Sequence, residues 1–122
     1  MRLDRLDSLV QLIENGNIRF DLSLPEYCIG GWCEYLLRGI GMVVNAPSNR
    51  SRPAYAIMQY LDIDDGTAHQ IAFVYPRHHP MDEGGRNMTI KFLKMMRDRG
   101  EAVSWEDLSW FSPNPNVSNT PG

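Results

Sequence analysis

Residues 28–37, "CIGGWCEYLL", are the stretch that decides the fold. They place two cysteines and two adjacent glycines within an apolar pattern of helical period. Its apolar positions recur at spacings of three and four, which is typical of one face of a helix; they are Ile29, Trp32, Cys33, Leu36, Leu37 and Ile40. Each glycine costs a helix about 1 kcal/mol relative to alanine. We therefore expect another backbone to approach closely, at a helix crossing near Cys28, Gly31 and Trp32. The alternative is a surface left bare for a ligand.

Further helical patterns lie on both sides of this stretch. The first predicted helix covers residues 3–14. The helix of the opening stretch should start at a Ser23 cap, with Pro25 and Glu26 in its first turn. A third helix is opened by Pro53, a short fourth helix is capped by Thr67, and the last covers residues 88–99, capped by Asn87 or Thr89. Their inward residues should be Leu3, Leu6, Leu9, Val10, Ile13, Ala54, Ile57, Met58, Leu61, Ala68, Ile71, Ala72, Ile90, Phe92, Leu93 and Met96. Gly100 should end the last helix, and a short segment should then lay Val103, Trp105 and Leu108 on the core.

No alternating run is long enough to build a sheet, and loops rich in Pro, Asn, Ser and Gly separate the helices. The sequence therefore predicts an all-α protein: one bundle of four to five helices over residues 1–111, followed by a flexible tail at 112–122. A length of 122 residues is that of a single domain.

Composition limits the functional classes. The net charge is −3 and the pI is about 5.5, so the chain lacks the basic surplus of a dedicated nucleic-acid binder. The charged N-terminus is not a signal peptide, and residues 29–46 are interrupted by Glu34 and Arg38. We expect a soluble, cytoplasmic protein with no membrane partner.

The two cysteines are the first candidates for chemistry. In a helix, five residues separate them by about 140° around the axis and roughly 7.5 Å along it, which is too far for a disulfide. The spacing also differs from that of zinc thiolates, so no metal or cofactor is expected and both side chains should be small buried hydrophobes. Cys28 is the candidate reactive thiol, because a helix N-terminus lowers a thiol pKa. An alternative is a metal- or thiol-dependent enzyme around Cys28, His78 and His79.

Two further groups could bind a partner. Arg50 and Arg52 share a loop and, with the cations Lys91, Lys94, Arg97 and Arg99 of the last helix, could form a basic patch for nucleic acid. The opposing interpretation is a solvated face balanced by nearby acids. Trp110 and Phe111 stand beside the tail, where exposed aromatic residues often mark a contact surface, although they could equally pack back on the bundle.

Short motifs also resemble a known family. They are "FDL" at 20–22, "CIGGW" at 28–32, "AYAIMQYLDI" at 54–63, "AHQIAFVYP" at 68–76 and "GEAVSW" at 100–105. In this order they resemble a family of small uncharacterised bacterial and bacteriophage proteins. The resemblance implies a helical fold and a bacterial or phage origin, and it implies no activity. The family often has a Cys-Gly-Thr ahead of the helix, where this chain reads "LSLPEY" without a cysteine.

No nucleophile elbow or phosphate-binding glycine loop is present in the sequence. We therefore predict a small protein-interaction module without catalysis, with Arg50, Arg52, Trp110 and Phe111 as its partner-binding residues. The alternatives are the thiol or metal enzyme and a nucleic-acid-binding accessory protein.

Overall fold

The structure is a computed structural model that describes residues 1–75 and 82–106. Within these residues the chain forms five α-helices and no strand, so the predicted all-α fold is confirmed. The helices are α1 (Leu3–Asn15), α2 (Ile29–Gly39), α3 (Arg52–Leu61), α4 (Asp65–Phe73) and α5 (Arg86–Arg99). A tight turn at Asp82–Gly85 leads into α5. No helix of the described part is long and apolar enough to cross a bilayer.

The helices bury their apolar faces in one core. The most extensive helix contacts are those of α2 with α3, of α3 with α4 and of α1 with α5. The core includes Leu6, Leu9, Val10 and Ile13 of the predicted α1 stripe, and most of the other predicted inward positions. Its largest fully buried side chains are Trp105, Phe92, Leu6, Leu9, Ile13, Ile29, Leu37, Ile57, Leu61, Ile71, Leu93 and Met96.

The segment after α5 returns to this core through Trp105. Gly100 ends α5 in the left-handed conformation, with φ of 75°. Trp105 stacks on Phe92 with ring centroids 4.0 Å apart, and its indole Nε1–H donates to the Ile71 carbonyl at 2.6 Å. The expected placement of Trp105 is therefore confirmed. Val103 is only partly buried against the core, and Leu108 lies outside the described residues.

The predicted start of α2 at Ser23 is wrong by several residues. The side chain of Asp21 accepts hydrogen bonds from the backbone N–H and the hydroxyl of Ser23, at 2.9 and 2.6 Å. The Asp21 N–H in turn donates to the Tyr27 carbonyl at 2.9 Å. This local bonding competes with helix formation, so residues 22–28 form turns and Cys28 takes the N-cap position.

Two predicted caps are also wrong. Asp64, not Thr67, caps α4: its Oδ2 accepts from the Thr67 N–H at 2.9 Å, and its Oδ1 from the Thr67 hydroxyl at 2.6 Å. A carboxylate at the N-cap also suits the positive end of the helix dipole. Helix α5 begins at Arg86 after Gly85, which provides no side-chain cap, and Thr89 is buried inside the helix.

Several expected core positions lie nearer the surface. Helix α2 ends at Gly39, so Ile40 falls beyond it and is 55% exposed. Leu3 on α1 is exposed as well. Trp32, Leu36, Met58 and Ile90 are partly buried at the edge of the core. The sequence pattern thus predicts the buried face of each helix correctly, but it also includes residues at the ends and margins of these faces that are more exposed. The proposed boundary at 111/112 lies outside the described residues and stays a prediction.

Arg86 ties α5 to the end of α1. Its two terminal nitrogens donate to the carbonyls of Ile13 and Ile18, and its Nε lies 3.0 Å from a carboxylate oxygen of Glu83. The last carbonyls of a helix have no partner within the helix. A side chain 73 residues away in sequence supplies one here, for Ile13.

Candidate interaction groove

A surface groove lies beside the first turns of α2 and α3. Its volume is about 510 Å³. It is lined by Pro25, Glu26, Gly30, Gly31, Trp32, Glu34, Tyr35, Arg38, Arg52 and Pro53. These residues come from α2, from the turn that precedes it and from the start of α3. We call this feature the α2–α3 groove. It contains both glycines of the stretch that decides the fold.

The glycines explain how the helix ends approach each other. A Cβ added at Gly30 would lie 2.5 Å from the backbone of Pro53, at the start of α3. A Cβ at Gly31 would lie 2.4 Å from the carbonyl oxygen of Glu26, in the preceding turn. The expected close backbone approach is therefore confirmed. The crossing with a neighbouring helix involves Gly30, however, whereas Gly31 accommodates its own preceding turn.

Aromatic rings form one wall of the groove. The rings of Trp32 and Tyr35 meet edge to face, with centroids 5.3 Å apart. Tyr27 lies 6.4 Å from Trp32, and the Arg19 guanidinium lies 4.7 Å from the centre of the Tyr27 ring. The indole Nε1–H of Trp32 donates to the Arg19 carbonyl at 3.0 Å. The hydrogen bond and the ring contacts thus hold Trp32 in one orientation at this aromatic wall.

A charged cluster forms another wall. Glu34 accepts from Arg52 Nε at 3.0 Å and Nη2 at 2.6 Å, and from Arg38 Nη2 at 2.7 Å. The hydrogen bonds from Arg52, followed by its charge and that of Arg38, hold the pKa of the Glu34 carboxyl below its ordinary value. The Glu34 side chain is 14% exposed, whereas Arg38 and Arg52 are 68% and 52% exposed. One shielded carboxylate therefore orients two accessible guanidinium groups.

Exposed apolar side chains continue past the groove. Tyr35 on α2 is 57% exposed, and beyond the end of the helix Ile40, Met42 and Val43 are 55%, 37% and 64% exposed. The other two large exposed hydrophobic residues of the described part, Leu3 and Phe73, stand apart in sequence. A local concentration of exposed apolar residues is typical of a contact surface.

The two cysteines are shielded from solvent. Both thiols are free and buried. Burial raises the pKa of Cys28 above its ordinary value despite the helix N-terminus, and the Cys28 Sγ–H donates to the Pro25 carbonyl at 3.4 Å. Burial also raises the pKa of Cys33. Loss of water thus offsets the expected lowering of the Cys28 pKa by the helix dipole, and Cys28 as a reactive thiol stays a prediction. The role of both cysteines as small buried residues is confirmed.

Arg50 and Arg52, which the sequence places in one loop, form ion pairs at two different sites. Arg52 faces the α2–α3 groove through Glu34, whereas Arg50 pairs with Asp65 at the start of α4. On α5, Lys94 pairs with Glu14, and Arg97 with Asp7. The predicted basic patch is thus interrupted by acids, as the solvated-face interpretation expects.

Four of the residues selected from the sequence cannot be placed. Trp110, Phe111, His78 and His79 lie outside the described residues. Among the residues that are described, no group of three or more His, Cys, Asp or Glu side chains is arranged to hold a metal ion. Of the two predicted partner-binding residues that the structure describes, Arg52 lines the groove and Arg50 does not.

Sequence reasoning did not identify Glu34, Tyr35 and Arg38 as site residues. The available signal was a Glu–Arg pair at i, i+4 within an apolar helix, a spacing that places both side chains on one face. The partner that completes the cluster, Arg52, is 18 residues from Glu34 in sequence. Only the α2–α3 packing brings it there.

Comparison of the chain with protein-family models, with curated proteins and with solved structures gives no match. The resemblance to small bacterial and bacteriophage proteins therefore stays a prediction.

Proposed function

We propose that this chain is a protein-interaction module without catalytic activity, and that the α2–α3 groove docks a segment of a partner protein. The observation that carries the proposal is the composition of the groove. Trp, Tyr and Arg dominate the binding energy of protein interfaces, and Trp32, Tyr35, Arg38 and Arg52 all line it.

The rigidity of the groove also supports binding. A side chain that is already held in place loses less conformational entropy when a partner arrives. Trp32 is fixed by its bond to the Arg19 carbonyl, and Arg38 and Arg52 are fixed by Glu34. Gly30 and Gly31 line the groove without side chains, and this absence lets Pro53 and Glu26 lie close against α2.

The exposed apolar residues support a protein rather than a small molecule as the occupant. The groove is open at the surface, and Ile40, Met42 and Val43 are exposed beyond the end of α2. A small ligand is usually enclosed by its site over most of its surface. A protein segment lying along α2 could cover both the groove and the apolar residues.

The test is affinity capture from a nuclease-treated bacterial lysate with three forms of the full chain: wild type, Tyr35→Ala and Phe73→Ala. Tyr35 lines the groove, whereas Phe73 is a comparably exposed aromatic residue on α4. We expect a protein that is retained by wild type and by Phe73→Ala but lost from Tyr35→Ala. Equal thermal unfolding midpoints of the three forms exclude a folding defect. Retention of the same proteins by all three forms, or no retention at all, would contradict the proposal.

A further inference from the structure

We infer that the arginine end of the α2–α3 groove binds a carboxylate, so that the docked segment is acidic and carries an apolar side chain next to its Asp or Glu. This inference rests on the proposed function and names the chemistry of the partner. It follows from the charge of the Glu34 cluster, from its remaining hydrogen-bond donors and from the position of Glu26.

The cluster of Glu34, Arg38 and Arg52 carries one uncompensated positive charge. Arg38 and Arg52 share the single carboxylate of Glu34, so two positive charges meet one negative charge. Both arginine side chains are more than half exposed and line the groove. One further carboxylate would balance the cluster. Guanidinium groups are well suited to it, because their planar fork matches the two oxygens of a carboxylate.

Donors for that carboxylate remain. A guanidinium has five N–H donors. Arg38 reaches Glu34 through Nη2 alone, and Arg52 through Nε and Nη2. Within the described residues, Nε and Nη1 of Arg38 and Nη1 of Arg52 have no acceptor. Glu34 therefore sets the direction of the two side chains without using up their donors.

Glu26 determines which end of the groove takes the acid. Its backbone contacts Gly31, and Gly31 precedes Arg38 by seven residues, which is roughly 10 Å along a helix. Glu26 lines the groove beside Gly31 and disfavours a second carboxylate there, whereas Arg38, further along α2, attracts one. Tyr35, about one helical turn before Arg38, offers apolar contact for a neighbouring side chain, and the exposed Ile40, Met42 and Val43 follow α2 in sequence.

A phosphate fits the cluster less well than a carboxylate. A phosphoryl group carries up to two negative charges, but only one positive charge is uncompensated, and the Glu34 carboxylate lies among the donors. Nucleic acid would need several neutralised phosphates to bind. A monoanion is the ligand that the local charge balance favours.

The experiment is selection of a displayed library of random 12-residue peptides on the immobilised full chain, followed by affinity measurements on the enriched peptides. The proteins compared are wild type, Arg38→Gln, Tyr35→Ala and Arg50→Gln. Arg50 is the matched control, because it lies just before α3, close to Arg52 in sequence, but pairs with Asp65 outside the groove. Arg38 is largely exposed, so its replacement leaves the core intact.

We expect the enriched peptides to carry Asp or Glu next to an apolar residue. Their affinity should fall by about tenfold on Arg38→Gln, equivalent to 1.4 kcal/mol, and change less than about twofold on Arg50→Gln. Replacing the peptide's acid by its amide should cause a similar loss on wild type and little further loss on Arg38→Gln, which is the signature of a direct pair.

The other outcomes separate the two proposals. Peptides that require Tyr35 but contain no enriched acid, or that bind Arg38→Gln as well as wild type, would overturn the carboxylate inference and leave the interaction groove standing. Enrichment of phosphorylated over acidic forms of the same peptides would overturn it too. If no peptide is enriched, or none depends on Tyr35, both the inference and the proposed function fail.

Discussion

The two described tryptophans use the same hydrogen bond in opposite surroundings. Trp105 is 1% exposed, stacks on Phe92 and donates its Nε1–H to the Ile71 carbonyl. Trp32 is only partly buried and donates its Nε1–H to the Arg19 carbonyl. Each ring thereby connects a helix to a segment outside it. Trp105 does so within the core, whereas Trp32 does so at the wall of a groove.

This difference in burial separates a tryptophan that stabilises the fold from one that a partner can contact. Burying the whole ring of Trp105 contributes to folding but leaves nothing for a partner to contact. Fixing Trp32 by its polar end leaves part of its ring, and the neighbouring Tyr35, accessible. The α5 side of the molecule should therefore be sensitive in stability measurements, and the α2–α3 side in binding measurements.

The largest expected effect is on Trp105. We expect Trp105→Ala to lower the free energy of unfolding by about 3–5 kcal/mol, the usual loss for a buried Trp truncated in a core. Trp32→Ala should cost only about 1–2 kcal/mol, because one hydrogen bond and part of a buried surface are lost. Urea unfolding followed by far-UV circular dichroism measures both. Equal losses at the two positions would break the comparison.

The next effect tests the close approach of α2 to α3. Gly30→Ala should destabilise the protein by about 1–3 kcal/mol, because the new methyl group would overlap Pro53 and overpacking outweighs the better helix propensity of alanine. Gly39, the last residue of α2, is the control, since a Cβ there meets nothing within 4 Å. Gly39→Ala should be neutral or stabilising by up to about 1 kcal/mol. A gain in thermal midpoint for Gly30→Ala would contradict the close approach.

A smaller effect is expected at Glu34. Its lowered pKa means that the ionised form is favoured in the folded state, so its contribution is present above the ordinary Glu pKa of about 4.3 and is lost as the pH falls through the lower folded-state value. Glu34→Gln should therefore cost up to about 1 kcal/mol near neutral pH, and the difference from wild type should vanish in acid.

The control for Glu34 is Glu26→Gln. Glu26 lines the same groove but forms no ion pair with a described residue. Urea unfolding of both variants across pH 2–7 should show the pH-dependent difference for Glu34→Gln alone. A difference that persists unchanged in acid would mean that the guanidinium–carboxylate contacts are not its cause.

The smallest contrast is between the two thiols. Both should react slowly with an aromatic disulfide reagent in the native state, because burial raises the pKa of each and restricts access. Cys28, which is 6% exposed, should react before Cys33, which is 0% exposed. The comparison is made with Cys28→Ser and Cys33→Ser at neutral pH. A fast, stoichiometric reaction of Cys28 would instead support the alternative function, a thiol-dependent enzyme.

The sequence predicted the helices better than their ends or the site. Repeated apolar spacings identify α1 and the core face of α3, because burial imposes the helical period. The start of α2 was misplaced because the Ser23–Pro25–Glu26 pattern looks like a cap, while the Asp21 side chain actually captures Ser23. Arg52 was selected as a partner-binding residue, but its neighbour on the other helix, Arg38, was not. No local pattern reveals a contact that tertiary packing creates.

The contact of Arg86 with the end of α1 has a consequence for the order of folding. The carbonyl of Ile13 acquires its side-chain donor only when residue 86 arrives, after a loop of 73 residues has closed. Closing such a loop is entropically costly and slow compared with forming a single helix. The amide hydrogens in the last turn of α1 should therefore stay exchangeable in the early phase of a refolding experiment. They should become protected together with those of α5, not with those in the first turns of α1. An N-terminal fragment would fray at this point for the same reason.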